Sequence, residues 1–279
     1  MTQPLTELSR RPVDADAVTT RLAGRWLVEA VAETGSTNAD LPAAAAAAGA
    51  AAGTVLVAEL QTGGRGRLDR SWVSPAGAGL TFSVLLRPAP PLPTWGWLPL
   101  LTGLALTRML GADARLKWPN DVLFGPRGGK LAGILVQSGA DAVVVGVGLN
   151  VSTSAAELPV ETATSLLLEG YSRLDRSELL VGFLSRFDGL YTAWQAHGGD
   201  AEASGVAGGY RGSCATLGSE VSVELGTHTL FGKAMEIDGL GRLVVQPTGG
   251  GAMVPVAAGD VTHLRGNVAN VNPTPLAPG

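Results

Sequence analysis

Two apolar runs, residues 54–60 and 80–86, bracket the stretch Gly63-Gly64-Arg65-Gly66-Arg67-Leu68-Asp69-Arg70-Ser71-Trp72. Short runs of this kind, rich in aliphatic residues and bounded by turn residues, read as buried strands. The chain is therefore predicted to hang a glycine- and arginine-rich loop between two strands of a rigid sheet. Glycine lets the backbone turn sharply and expose its N–H groups, and arginine adds a fixed positive charge. Such a loop suits a bound anion, and the rest of the sequence must say which one.

At 279 residues the chain has room for one large and one small domain, or for two of medium size. Hydrophobic residues make up 46% of it and charged ones 16%, enough apolar material for a sizeable core. Lys and Arg number 20 against 24 Asp and Glu, a formal charge of −4. That balance argues against a general nucleic-acid binder, whose footprint is basic. The single cysteine, Cys214, excludes an internal disulfide framework and a cysteine-rich metal site. His197, His228 and His263 are scattered, and no His/Cys group has zinc spacing. Residues 1–20 are polar and contain acids, unlike a secretory signal. The longest apolar stretch, residues 95–110, is broken by Gly96, Pro99, Gly103 and Arg108 and is shorter than the roughly 20 residues a membrane span needs. A soluble cytoplasmic protein is expected.

Along the chain, residues 1–12 read as a loose leader, 14–22 as a first short helix and 26–31 as a first strand. Gly35-Ser36-Thr37-Asn38 precedes an alanine run, so Ser36 or Thr37 is a natural helix N-cap, with Pro42 expected in the first turn. Residues 53–60 and 79–87 are predicted strands, the second with Leu80, Phe82, Val84 and Leu86 on one face. A proline linker at 88–93 leads to an apolar, buried helix at 94–111. After Arg115-Leu116-Lys117-Trp118-Pro119-Asn120-Asp121, in which Pro119 stops regular pairing, come a turn at 125–129 and strands at 130–136 and 142–151. Asp175 and Glu178 have the spacing of a capping box, opening a helix that Gly198 and Gly199 end. From about residue 213, short alternating strands at roughly ten-residue spacing suggest a small β-barrel. The domain reading is thus a leader at 1–12, a large domain at 13–211, a barrel at 212–265 and a disordered tail at 266–279.

Familiar nucleotide and hydrolase motifs do not apply. Gly128-Gly129-Lys130-Leu131 lacks both the first glycine of a P-loop, where Phe124 stands, and the Ser/Thr that would hold magnesium, where Leu131 stands. Gly146-Val147-Gly148 lies in a strand and lacks the third glycine of a dinucleotide fingerprint. No Gly-x-Ser-x-Gly elbow is present.

What remains is a set of polar groups spread over one sheet-like domain. Ser36, Thr37 and Gln61 offer neutral donors and acceptors; Arg65, Arg67, Arg70, Lys117 and Lys130 offer positive charge. Trp72 offers a flat surface, Asp121 a carboxylate, and Asn120 and Asn150 amides. Lys117 and Lys130 end otherwise apolar segments, where an unpaired ammonium is costly without a ligand or ion partner. A carboxylate together with a triphosphate would use that charge, and an adenine could stack on Trp72. Plainer roles stay open for each: Ser36 and Thr37 as caps only, Trp72 and Trp118 as core, Lys117 and Asp121 as a surface pair.

At these residues the chain resembles the biotin protein ligases, which attach biotin to carboxylases. The matching stretches are Gly35-Ser36-Thr37-Asn38, Gln61 through Trp72, Lys117-Trp118-Pro119-Asn120-Asp121, Lys130-Leu131-Ala132-Gly133-Ile134-Leu135 and Gly146-Val147-Gly148-Leu149-Asn150, in the family's order. The resemblance spans residues 25–265. It implies an α+β fold, a mixed-sheet catalytic domain of the class II aminoacyl-tRNA-synthetase type followed by a small SH3-like barrel. It also implies two half-reactions: biotin and Mg-ATP give biotinyl-5′-AMP and pyrophosphate, and the acyl group then passes to a lysine of the biotin carboxyl carrier domain of acetyl-CoA or a related acyl-CoA carboxylase.

Carried onto this sequence, the resemblance has Ser36, Thr37 and Gln61 hydrogen-bond the biotin ring, with Asn38 beside them. The loop from Gly64 through Arg65 to Arg67 would close over the biotin carboxylate and the α-phosphate, its N–H groups forming an anion nest. Arg67, Arg70 and Lys117 would serve the phosphates, Trp72 the adenine, and Asn120 and Asn150 the nucleotide. Lys130 would bridge carboxylate and α-phosphate, and Asp121 would orient the acceptor amine; Lys130, Asp121 and Arg67 are the expected catalytic residues. Gly133 and Gly146 would let the sheet approach the ligand closely. The metal-holding carboxylates are not identified.

Two departures from the family stand out. Leu68 and Asp69 replace a cation and a glycine found in some relatives, with a modest effect expected on loop closure. Some relatives also carry an N-terminal DNA-binding domain, whereas the motifs here begin by residue 35, so no operator binding and no DNA partner are expected. The alternatives are a lipoate–protein ligase of the same fold and a non-enzymatic nucleotide- or RNA-binding module. The loop is expected to gain its order from biotin or the adenylate.

Overall fold

Strands β3 (Gly79–Leu86) and β7 (Val143–Asn150) are buried at every position, because both faces of the sheet they centre on are covered. In a computed structural model, which describes residues 10–264 except 49, 69, 140–141, 227 and 258, they pair antiparallel from Gly79↔Asn150 to Leu86↔Val143. Around them lie β1 (Leu27–Thr34), β2 (Thr54–Gln61), β4 (Ala114–Lys117), β5 (Asp121–Phe124) and β6 (Gly129–Ser138), in the order β1-β2-β3-β7-β6-β5-β4. The β1–β2 pair is parallel and the others antiparallel, a mixed sheet as expected.

The alternation of β3 sorts its side chains between two environments. Leu80, Phe82, Val84 and Leu86 join the main core with α3 (Trp97–Leu110) and α4 (Arg176–Ala196). Leu85 meets Leu41 of α2 (Thr37–Ala48) on the other face, with Leu56 and Val144. Thr81 and Ser83 share that second face, beneath the start of α2, and both are buried.

Helix ends follow the sequence closely. In α1 (Ala15–Arg21) the Asp14 carboxylate accepts from the Ala17 N–H, and in α4 the Asp175 carboxylate accepts from Ser177 and Glu178. Only half of the expected capping box forms, since the Glu178 side chain pairs with Arg21 instead of returning to the cap. Pro42 sits a turn deeper than expected: α2 begins at Thr37, the Ser36 carbonyl accepting from Ala39 and Asp40. A 3₁₀ turn at Leu92–Gly96 occupies the end of the predicted linker. Helix α5 (Val206–Ser213) carries no strong sequence signal, being rich in glycine. It forms because Val206, Ala207 and Tyr210 are buried, and a Cβ on Gly209 would lie 3.0 Å from Leu104 Cδ2 of α3.

The C-terminal unit is a five-stranded antiparallel sheet of β8 (Glu220–Glu224), β9 (Thr229–Ile237), β10 (Leu243–Pro247), β11 (Val254–Val256) and β12 (Asp260–His263), ordered β11-β10-β9-β8-β12. It packs on the large domain through two indoles: Trp97 Nε1 donates to the Gly239 carbonyl and Trp118 Nε1 to that of Gly241, each at 3.0 Å. Trp118 is core, at 1% exposure. Among the described residues no helix is long and apolar enough to cross a membrane.

Residues 1–9 of the predicted leader and the whole predicted tail at 266–279 lie outside the described residues. The end of that leader is not loose. Arg10 pairs with Glu157 at 2.7 Å and donates to the Ser152 carbonyl, while the Val13 N–H donates to Glu59 Oε1 at 2.8 Å. Buried Arg176 pairs with Glu59 and also donates to the carbonyls of Gly79 and Arg11, so one guanidinium ties the segment to the central strand.

Arg10, with help from the Ser154 N–H and hydroxyl, holds the Glu157 carboxyl at about 2, below its ordinary 4.5. A carboxyl more acidic in the folded than in the unfolded chain stabilises the fold fully above about pH 4.5 and loses that contribution as pH falls through about 2. Glu157→Gln should therefore flatten the decline of Tm across that acid window. Parallel acid titrations of wild type and variant would contradict this assignment.

Candidate active site

Three structural units meet at a cavity of about 130 Å³: the start of α2, the glycine–arginine loop between β2 and β3, and the β5–β6–β7 region of the sheet. Gly259 and Asp260 of the C-terminal unit close one side.

The neutral wall is built on β3. Ser83, fully buried, lies 2.7 Å from Thr37 Oγ1 and 2.6 Å from Asn38 Oδ1. Thr37 donates from both its N–H (2.8 Å) and its hydroxyl (3.0 Å) to Gln61 Oε1. The Asn38 amide donates to the Leu135 carbonyl at 3.1 Å and to Gln137 Oε1 at 2.9 Å. Ser36, Thr37 and Gln61 all line the cavity, so the N-terminal turn of α2 is fixed to three strands around it. Ser83 went unassigned in the sequence. Its signal was there, a hydroxyl alternating with Phe82 and Val84 on a strand otherwise apolar.

The floor is a notch cut by glycines. Gly133 of β6 and Gly148 of β7 are direct cross-strand partners. A Cβ on Gly148 would come 2.2 Å from Trp72 Cε2, and one on Gly133 would come 3.1 Å from Trp72 Cζ3. Gly146, opposite Leu135, makes room in the same way for the Asn38 amide. Gly133 and Gly146, expected to let the sheet approach a ligand closely, both line the cavity, and the chain's own Trp72 and Asn38 lie against them. Gly148 belongs to the same notch and had been given no role.

The charged wall faces them. Lys130 Nζ lies 2.8 Å from Asp121 Oδ1 and 6.0 Å from the centre of the Trp72 ring. Arg67 Nη1 donates to Asn120 Oδ1 at 3.2 Å, and Asn120 in turn donates to the Ile134 carbonyl at 2.9 Å. Burial pulls the Arg67 guanidinium below its ordinary value, against the opposing pull of Asp121 and Asp260. Arg70 bonds Asp260 through both guanidinium nitrogens, Nη1 to Oδ1 at 3.3 Å and Nη2 to Oδ2. Arg70 holds the Asp260 carboxyl below the usual range, with smaller help from Lys117 and Arg67. Arg65 lines the cavity, its backbone bridged to Ser71.

The loop is closed on itself by Trp72 N–H to Gly64 carbonyl (2.9 Å) and Gly66 N–H to Arg70 carbonyl (2.6 Å). Gly64 is obligatory there, since a Cβ would lie 2.3 Å from the Trp72 carbonyl oxygen. Within the chain the loop meets the rest of the protein at the seat of Trp72, the Arg67–Asn120 bond and the Arg70–Asp260 pair.

The structure brings most of the sequence-predicted set together, but Gly64, Lys117 and Asn150 do not line the cavity. Lys117 ends β4, opposite Asp121. Asn150 is buried and gives its amide to the Thr164 carbonyl at 2.9 Å. Among the described residues no group of three or more His, Cys, Asp or Glu could hold a metal ion.

Residues 36–152 match the model of the Biotin/lipoate A/B protein ligase family, and residues 216–264 match that of the Biotin protein ligase C terminal domain. The chain is 42% identical over 269 residues to a biotin–[acetyl-CoA-carboxylase] ligase of Mycobacterium tuberculosis, covering 92% of this chain and 97% of that protein. It is 32% identical to a ligase of the same name from Paracoccus denitrificans, covering 81% and 97%. A biotin protein ligase from Aquifex aeolicus in complex with biotin and ATP superposes with a TM-score of 0.69 at 29% identity, covering 86% of this chain and 99% of that one. The chain belongs to the biotin protein ligase family.

A Cβ at Gly146 would lie 2.1 Å from Asn38 Oδ1, on an amide that Ser83, Leu135 and Gln137 hold in place. Gly146→Ala should therefore cost about 1–3 kcal/mol by overpacking. A wild-type denaturation midpoint in this variant would mean that the amide is free to move.

Proposed function

We propose that the chain activates biotin with Mg-ATP and transfers it to a lysine of a biotin carboxyl carrier domain, that of acetyl-CoA carboxylase or a related acyl-CoA carboxylase. The observation that carries this reading is the apposition, across one cavity, of a neutral wall at Ser36, Thr37 and Gln61 and a cationic wall at Arg65, Arg67, Arg70 and Lys130. A ligand with a hydrogen-bonding ring at one end and a carboxylate at the other suits the pair. The names of the relatives support biotin as that ligand.

In the first half-reaction a biotin carboxylate oxygen attacks the α-phosphorus of ATP, and pyrophosphate leaves with the bonding electrons. Two anions must meet, so the chief obstacle is their repulsion. Lys130 between them, Arg67 and the loop N–H groups would lower it, which is catalysis by position and fixed charge. Trp72 would offer a flat surface to the nucleotide and Asn120 would keep Arg67 aimed. ATP enters as its magnesium complex.

In the second half-reaction the acceptor lysine amine attacks the acyl carbonyl, AMP leaves, and the amine gives up a proton. Asp121 is the group for that step. Its partner Lys130, 2.8 Å away, would turn to the substrate anions, leaving the Asp121 carboxylate to orient the amine and take the proton. The chain's own carboxylate thus neutralises Lys130 until a substrate carboxylate replaces it.

Calorimetric titration with biotin tests the reading directly. Saturable heat with biotin, none with lipoate, and pyrophosphate release that requires biotin are expected. Salt-sensitive RNA binding without biotin binding would overturn it. Lys130→Ala should slow adenylate formation by about 10²- to 10³-fold with the fold intact, as loss of one preorganised charge does; near-normal adenylation would remove its role. Asp121→Ala should slow transfer to the carrier more than adenylation. Equal losses in the two half-reactions would remove the reason for separating its role from that of Lys130.

A further inference from the structure

The loop's internal hydrogen bonds make it a small hairpin, but they do not fix where the hairpin lies. Two anchors, the Trp72 seat and the Arg67–Asn120 bond, belong to the same domain as the loop. The Arg70–Asp260 pair comes from the C-terminal sheet, and it joins both nitrogens to both oxygens. Leu68, in the loop, has φ 54°, a left-handed conformation disfavoured for a residue with a Cβ.

Asp260 is itself held firmly. It pairs with Glu224 at the start of β12, and a Cβ on the preceding Gly259 would lie 2.7 Å from Val223 Cγ1. At the other end of the strand, His263 Nε2 lies 3.0 Å from Thr216 Oγ1, which accepts the Trp118 N–H at 2.9 Å. Strand β12 therefore connects the segment carrying Asn120 and Asp121 to the tip of the loop.

We propose that Asp260 is a positioning residue, a catch on the C-terminal sheet that holds the glycine–arginine loop shut through Arg70. Arg70 has two claimants. While ATP is bound its phosphates compete for the guanidinium, and once pyrophosphate has left Asp260 takes it back. The catch thus acts mainly on the adenylate stage, sealing a reactive mixed anhydride from water until a carrier arrives. That last consequence rests on the proposed ligase activity; the closure of the loop by Asp260 does not.

The test uses the full chain in two arms. Without ligands, hydrogen–deuterium exchange is followed at the loop amides of Gly66 and Trp72. Asp260→Ala should speed their exchange about three- to fivefold, the upper range for a solvent-accessible ion pair. Asp260→Glu should recover most of the protection, and Asp260→Ala should add nothing in an Arg70→Gln background. Given biotin and ATP, release of biotinyl-adenylate should rise by a similar factor in Asp260→Ala. Unchanged loop exchange at an unchanged Tm would overturn the proposal, as would an effect that persists without Arg70. If Asp260→Ala does not fold, the isosteric Asp260→Asn carries the same expectations. Failure of the wild type to form adenylate would overturn the functional reading alone, since the exchange arm still decides the catch.

Discussion

The site depends on one close approach. Where β6 and β7 pair at Gly133 and Gly148, neither strand carries a side chain, and the Trp72 indole lies down on bare backbone. Everything in the loop is positioned from that seat. Trp72 ends the loop, its N–H closes on Gly64, and the arginines between are thereby carried over the cavity. With a methyl at Gly148 the ring would have to lift, taking the loop with it, whereas at Gly133 it would have to give only slightly. Glycine here serves contact with another part of the chain, since neither residue has a positive φ. A sheet of seven strands provides the rigidity that makes so small a notch worth having.

Charge is managed by substitution. Lys130 has Asp121, and Arg70 has Asp260, each pair with at least one member open to solvent. Exposed pairs of this kind add little stability, so their arrangement matters more for what can replace them. Under the proposed function a substrate carboxylate or phosphate would take the place of either aspartate without leaving a cation buried and alone. Arg67 differs: more deeply buried, it is bonded to the neutral amide of Asn120, and among the described residues it forms no ion pair. It is the cation that a substrate anion would benefit most by meeting. The contrast with Arg176 is instructive, since that guanidinium is sealed by Glu59 and two carbonyls and is structural.

Much of this was legible before any coordinates. Local signals that survive folding unchanged, such as the apolar runs of β2 and β3, the Asp175 cap and the alternating C-terminal strands, need only short-range physics to be read. Tertiary contacts decided the rest. Helix α5 has poor intrinsic propensity and exists because glycine lets it approach α3. Asn150 sits in a strand beside the site, yet its amide turns to Thr164, a choice no spacing reveals. Asp260 lies far from the loop in sequence and carries no motif, so its meeting with Arg70 could come only from the packing of the second sheet.

That packing also suggests why the second sheet belongs to the same chain. Its two indole anchors fall on Trp97 and Trp118, and Trp118 is the residue between Lys117 and Pro119 in the segment that supplies Asn120 and Asp121. The sheet is thus fastened to the segment that carries Asn120 and Asp121, while Asp260 touches the loop that would move under the proposed catch. A lever needs this division, with a fixed end on the rigid frame and a free end on the mobile element. The hydrogen bonds from the Thr216 side chain to the Trp118 N–H and the His263 ring run along the fixed side. A small barrel tethered only by a flexible linker could not hold a carboxylate at a set distance from a loop arginine. One clamped at Trp118 can.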